Sequence, residues 1–408
     1  MNIVIFEDHL HKNFEPLSLS HPIFTLLCGT SKIYQKWQKA LKIRQTYLCC
    51  RQHLAQVLAE ESKLPVNILP DGDTLFINGR YIPTPESLKA IKKLLIGEGA
   101  IAESELVAFR TVVDKKLGDD NPLFRLYNQD SINSVWGMLK GIKITGIGFK
   151  YLWEIVDYNG TAIGTEFADF KNLKSGGKVD PKTSLLKKSN IYLGQGVVIY
   201  PQVIIDAAEG PVIIERGTVV EPLTFIKGPC YIGPNCRIVG GKIREGCSFG
   251  AVCRVGGEVE EAIMLGYDNK YHEGFLGHAY LGEWVNLGAM TTNSDLKNNY
   301  STIAVSVANE NTDTGSIKVG CFIGDHTKTG IGTTLNTGIN IGFSCNLYGG
   351  NLFIDKQIRS FSWGTPGNLV EYRLEKALET AANSMARRKI EISESQKTLF
   401  KHIFEKDR

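Results

Sequence analysis

Residues 231–255 read YIGPNCRIVGGKIREGCSFGAVCRV, and their spacing decides the fold. Ile232, Ile238, Ile243, Phe249 and Val255 recur every six residues, with one five-residue step. Cys236, Cys247 and Cys253 hold a second recurring position, four residues past an apolar one. Outward from this stretch the beat includes Leu193, Ile199, Ile205, Ile214, Val220 and Ile226 on one side. On the other it includes Leu281, Leu287, Ile323, Leu335, Ile341 and Leu347, with Thr329 in one slot. A six-residue period is too short for a helical repeat. It fits one flat side of a triangular β-coil, each apolar side chain pointing to the axis and glycine permitting the corner. A sandwich of short strands would not keep so strict a phase.

The pattern resembles the hexapeptide-repeat left-handed parallel β-helix, and the hand is implied by that resemblance, since crossover rules favour the opposite one. The chain has nine cysteines and no C-x-x-C pair, which argues against a zinc site or a disulfide framework. Cys230, Cys236, Cys247, Cys253 and Cys345 share one phase of the repeat and are expected to be inert core thiols in a reducing cytoplasm.

Residues 1–155 read as an α/β domain. "NIVIF" and "TLFING" are strand candidates, and "SKIYQKWQKALK" and "PESLKAIKKLLIG" have helical spacing. Residues 156–190 are polar and turn-rich and read as a connector, 191–360 as the coil, and 361–408 as a helical tail. In the tail, Asn368 and Glu371 are spaced as N-cap and N3 residues before a stripe of Val370, Leu374, Leu378, Ala381 and Met385, and Ser393 to Gln396 starts a second helix. The stripe is expected to pack on the coil or on a neighbouring subunit, and the tail's charges to form a solvated face.

The net charge of +3 over 408 residues, with no basic stripe, speaks against a nucleic-acid partner. No run of eighteen apolar residues suggests a membrane span, and the start has no signal-peptide pattern, so a cytoplasmic location is expected.

The beat falters at about 256–280 and 289–318, on either side of "LGEWVNLGA", and long loops on a rigid coil usually carry function. There "KYHEGFLGHAYLGEWVNLGA" resembles the acetyltransferase half of the bifunctional N-acetylglucosamine-1-phosphate uridyltransferase / glucosamine-1-phosphate acetyltransferase family. The resemblance puts His272 on the catalytic base, Asn286 on a sugar-binding asparagine and Ala289, beside Gly288, in the acetyl-CoA site. Phe275 stands where the family has tyrosine, Asp295-Leu296 where it has Asn-Tyr, and His278, the reserve base, where it has aspartate. Arg254 and Lys270 are the candidate cations for the sugar phosphate. The chemistry agrees, because an imidazole titrating near neutrality can take the proton of an attacking amine and backbone N–H groups near Gly288 can hold an oxyanion. "MTTNSDLKNNY", "YLWEIVDYNG" and "MARRKIEISESQKTLFKHIFE" resemble an alternative bacterial branch of the same family.

The first domain resembles sugar nucleotidyltransferases but lacks their glycine-rich phosphate loop, and "HPI" stands where a Pro-Lys step is expected. Asp71, Asp73 and Arg80, near the "TLFING" strand, are its candidate residues, with Mg2+ implied only if this domain is active. The expected protein is an acetyl-CoA-dependent N-acetyltransferase of an amino-sugar 1-phosphate, glucosamine 1-phosphate first, serving UDP-N-acetylglucosamine synthesis as a homotrimer. Two alternatives stay open. One is a pyrophosphorylase using UTP or dTTP whose coil only organises oligomers, and the other a non-catalytic sugar-nucleotide-binding scaffold.

Overall fold

The "NIVIF" run becomes the strand Asn2–Phe6 and pairs in parallel with Tyr47–Cys49 and Gly72–Asn78. Glu105–Val113 then adds antiparallel to Gly72–Asn78, and Glu98–Ala102 and Lys140–Lys143 complete a six-stranded sheet. Helices form at Ile33–Leu41 and Pro85–Ile91, the second capped by Thr84, whose hydroxyl accepts from the Ser87 amide at 3.1 Å. This computed structural model describes residues 1–408 apart from residues 44, 45, 115, 117, 119, 120 and 408.

The six-residue beat folds as a parallel β-helix. One column runs down a single side of it. Leu193 lies opposite Ile214, then come Ile232, Phe249, Met264, Leu281, Ile323, Ile341 and Ile358, each paired with the next. All are buried, and each such side chain contributes roughly 1.5–3 kcal/mol by leaving water. The nine cysteines are free and buried, and burial pushes thiols such as Cys345 up to about 12.

Four features differ from expectation. The first break, 256–280, is no loop: Arg254–Gly266 and Phe275–Glu283 are coil strands with Val259, Met264 and Leu276 inside. The beat is obscured because Lys270 fills the slot opposite Val255, with 1% exposure. Its Nζ donates to the carbonyls of Gly256 and His272 at 3.2 and 2.5 Å. The second break is real and carries the hairpin Ala304–Val307/Glu310–Asp313. Val305 and Val307 bury against the N-terminal domain, while the strand Glu310–Asp313 stays largely exposed.

Residues 156–190 are structured too. Leu152–Glu166 is a helix burying Trp153, Ile155 and Ile163, and Lys178–Val179 and Ser184–Leu186 already pair with the coil. Its polar sequence hides it because Asn159 is fully buried, accepting from the Gly29 amide at 2.6 Å and donating to the Gly246 carbonyl at 2.8 Å. Finally, Asn368 is not an N-cap. Asn368–Glu371 pairs antiparallel with Ser362–Thr365 around the Pro366–Gly367 turn, leaving Val370 exposed, and the helix starts at Leu374. A Pro-Gly turn closes a hairpin as readily as it precedes a helix, and here the ladder wins. Ala377, Ala381 and Met385 are buried, and Ser393 caps the second helix as expected, accepting from the Gln396 amide at 3.2 Å.

The "SLSHPIF" stretch forms the seam between domain and coil. His21 Nε2 lies 2.8 Å from Asp325 Oδ2, and Ser20 donates to the same carboxylate at 2.9 Å. Tyr280 donates to the Leu27 carbonyl and Ser248 to that of Gly29, both at 2.8 Å.

Burial opposes charge on both groups, yet the pairing raises His21 and lowers Asp325. Stability from a depressed carboxylate is present above its unfolded value and lost as pH falls through the folded one. Stability from a raised imidazole is present below its unfolded value and lost as pH rises through the folded one. The pair is therefore at full strength between about pH 4 and 6.5. Asp325→Asn is expected to cost about 3–5 kcal/mol at pH 6 in chemical denaturation, the gap to wild type narrowing as pH rises to 9. A gap that stays constant over that range would refute the assignment. For Lys270, burial lowers the ammonium to about 8. A depressed cation penalises the fold below that value, and the penalty fades between about pH 8 and 10.4. Lys270→Met should match or exceed wild-type stability at pH 7, its advantage shrinking toward pH 10; a lower melting temperature at pH 7 would contradict this.

Candidate functional site

His272 follows the short strand Asn269–Lys270 and precedes Phe275–Glu283. The turn between them passes close to the next coil: a Cβ at Gly274 would fall 2.1 Å from the Thr291 carbonyl oxygen, and its φ is +127°, so only glycine fits. His272 is exposed, packs edge-on against the Tyr271 ring at 5.3 Å, and has no ion pair or side-chain hydrogen bond among the described residues.

His278 is held differently. Its Nδ1 sits 2.8 Å from Asp295 Oδ2, both side chains being largely buried. Burial raises Asp295, but the hydrogen bond and charge of His278 outweigh it and keep the carboxyl below its usual range. Two more acids face this imidazole: Glu261, pushed by burial to about 7, and Asp157 of the helix Leu152–Glu166, also raised by burial. Phe275 completes the cluster, since a Cβ on Gly277 would lie 2.4 Å from its ring and 2.8 Å from Asp295. A carboxylate-oriented imidazole is the arrangement a proton acceptor needs.

A second grouping forms around Asn286. Its Oδ1 accepts from Asn269 Nδ2 at 2.8 Å, and it lines a pocket of about 60 Å3 with Arg254, Arg387 and Arg388. Arg254 and Asn286 thus come together as expected, whereas Lys270 is turned into the coil. Gly288 gives its amide to the Thr329 carbonyl and hydroxyl, both at 3.1 Å, so that N–H is committed to the coil rather than to an oxyanion. Ala289 sits half-buried at the following corner. Arg387 and Arg388 escaped the sequence reading because two basic residues ending a helix fit a solvated C-terminus stabilised by the helix dipole. The doublet in "MARRK" was the available signal.

In the first domain the candidates do not converge. Asp71 and Asp73 sit at the start of the strand Gly72–Asn78 and Arg80 beyond its end, a separation of about 20 Å along an extended chain. Asp73 is paired with Arg110 at 2.7 Å; Arg80 is buried against Asp8 at 2.6 Å. The carboxyl ends of the parallel strands, where such folds bind ligands, are filled by Glu7 with Arg51 (2.9 Å) and by Asp8 with Arg80 and Asn78. These acids are neutralised by guanidinium groups, and among the described residues no group of three or more His, Cys, Asp or Glu side chains is placed to hold a metal ion. Of the candidates for Mg2+, Asp73 is thus engaged by Arg110 and Arg80 is a cation bound to Asp8. No helix among them is long and apolar enough to cross a membrane.

Residues 3–176 match the sequence model of a family described as "Sugar nucleotidyl transferase". The chain is 31% identical over 154 residues, 35% of its length, to a "Bifunctional sugar-1-phosphate nucleotidylyltransferase/acetyltransferase" of Sulfurisphaera tokodaii, covering 36% of that protein. It is 27% identical over 241 residues, 55% of its length, to a "Bifunctional protein GlmU" of Methanococcus aeolicus, covering 49% of it. The chain thus spans half or less of the length of these relatives. Among solved structures, a UDP-N-acetylglucosamine acyltransferase from Campylobacter jejuni aligns over 57% of this chain and 97% of its own, with 14% identity and a TM-score of 0.32, a likeness too slight to carry an argument. Residues 3–176 therefore carry a match to the sugar nucleotidyl transferase family, in a chain similar to bifunctional proteins whose names join a nucleotidylyltransferase to an acetyltransferase.

Proposed function

We propose that the coil is an acetyl-CoA-dependent N-acetyltransferase acting on an amino-sugar 1-phosphate, glucosamine 1-phosphate being the first choice, in UDP-N-acetylglucosamine synthesis. The observation that carries this reading is the stretch 272–295, which puts two histidines, one paired with Asp295, and the pocket-lining Asn286 on neighbouring coils. The names of the bifunctional relatives support it. In the reaction the amine attacks the acetyl carbonyl, the C–S bond breaks, and an imidazole takes the proton the nitrogen sheds. His272, exposed beside the coil, is the proposed base; Asn286 and Arg254 hold the acceptor, and the corner at Ala289 borders the acetyl-CoA path. A homotrimer, which would cover His272 with a neighbouring coil, and a cytoplasmic location belong to the same proposal.

A second reading rests on the Asp295 contact: His278, already oriented by a carboxylate, is the base, and His272 is peripheral. For the first domain, the ion-paired strand ends favour a platform without nucleotidyl transfer.

Following thiol release from acetyl-CoA with glucosamine 1-phosphate separates these. His272→Ala should lose about a hundredfold or more in kcat while His278→Ala loses less. The reverse order transfers the role to His278. Absence of thiol release with any amino-sugar phosphate sinks the acetyltransferase reading. Release of pyrophosphate from UTP or dTTP with a sugar 1-phosphate and magnesium, surviving His272→Ala, would instead make the coil an oligomerisation element.

A further inference from the structure

Arg254 opens the coil strand Arg254–Gly266, while Arg387 and Arg388 directly follow the C-terminal helix Leu374–Ala386. The two elements bring three guanidinium groups to one small pocket. Elsewhere Arg51, Arg80, Arg110, Arg237 and Arg244 each have a carboxylate partner within 4 Å, while Arg216, Arg359 and Arg373, which have none among the described residues, are exposed to water. Among the described residues Arg254, Arg387 and Arg388 have none, and the Nε of Arg388 is buried without a hydrogen-bond partner. Burial and the charges of Arg254 and Arg387 together lower Arg388. Gathering like charges and burying an unmet N–H are both unfavourable unless an anion joins them.

The size of the pocket limits that anion. About 60 Å3 holds a few waters or one tetrahedral oxyanion, and no nucleoside. Guanidinium groups suit phosphate because their planar forks bind two oxygens at once. Beside them the amide nitrogen of Asn286 is uncommitted, its oxygen being used by Asn269. Tyr267 and Trp284, stacked at 4.3 Å, form the wall between this pocket and a cavity of about 540 Å3 where the N-terminal domain, the coil and the C-terminal helices meet. Lys32, Gln35, Glu61 and Glu283 line that cavity.

We propose that Arg254, Arg387 and Arg388, beside Asn286, seat the phosphate of a sugar phosphate. The C-terminal tail is then part of the binding site rather than a packing appendage. The identity of the ester as an amino-sugar phosphate rests on the acetyltransferase reading; the phosphate seat does not. A phosphate on acetyl-CoA shares the same chemistry, and the test separates the two sources.

Titration calorimetry on the full chain, without acetyl-CoA, would measure binding of glucosamine 1-phosphate, inorganic phosphate and coenzyme A. It would be run on wild type, on the Arg387→Gln/Arg388→Gln double variant and on Arg254→Gln, which sits on a different element and guards against a folding defect in the tail. The expected result is that inorganic phosphate competes with the sugar phosphate, that both sets of substitutions weaken glucosamine 1-phosphate tenfold or more, and that coenzyme A is unaffected. Unchanged sugar-phosphate affinity in folded variants overturns the proposal. Loss of coenzyme A binding with sugar-phosphate binding retained overturns it too, by giving the seat to the cofactor. Because no turnover is needed, loss of binding in the variants stands even if thiol release is never seen.

Discussion

A parallel coil must return to register once per turn, and the rest of the molecule depends on this constraint. The column from Leu193 through Ile232 and Met264 to Ile358 works only if each interior residue lies over the last. Two kinds of freedom remain: what leaves at a corner, and what stands in an interior slot. The chain uses both near its candidate site, with the turn at His272 between strands and Lys270 in the interior slot that Val255 fills one coil earlier. The histidines are held by a scaffold whose backbone hydrogen bonds are already spent on neighbouring coils.

The second organising contact is the seam. Asp325 receives His21 and Ser20 from the first domain and the Glu283 amide from the coil, so one carboxylate joins three stretches of chain. At the "HPI" step, where the resemblance leads one to expect a Pro-Lys, His21 is occupied with the coil. The strand ends of the first domain have likewise turned inward, Glu7 and Asp8 each meeting an arginine. The charges of that crevice are satisfied internally.

The coil was legible because a solenoid repeats the same burial decision at every turn, so Ile232 and Ile341 announce themselves without any partner being known. Asp325 and His21 were not, since nothing local marks two polar residues that meet across the whole chain. Lys270 misled in the other direction, its charge arguing for a loop where the backbone simply carries on. Asn368 failed because the cues for a cap and for a hairpin coincide at Pro366–Gly367. Of the candidate site, Asn286 and Arg254 were named from a motif and a neighbouring position and line one pocket, while Arg387 and Arg388 needed the packed tail to bring them to the coil.

The seam also bears on the order in which the chain acquires structure. Ser20 finds Asp325 305 residues later, and Glu15 meets Asn340 across 325. During synthesis the first domain emerges with Phe14, Leu17 and Ile23 still lacking the coil that covers them. Such contacts close loops of nearly the full length of the protein, which slows folding and leaves apolar surface waiting.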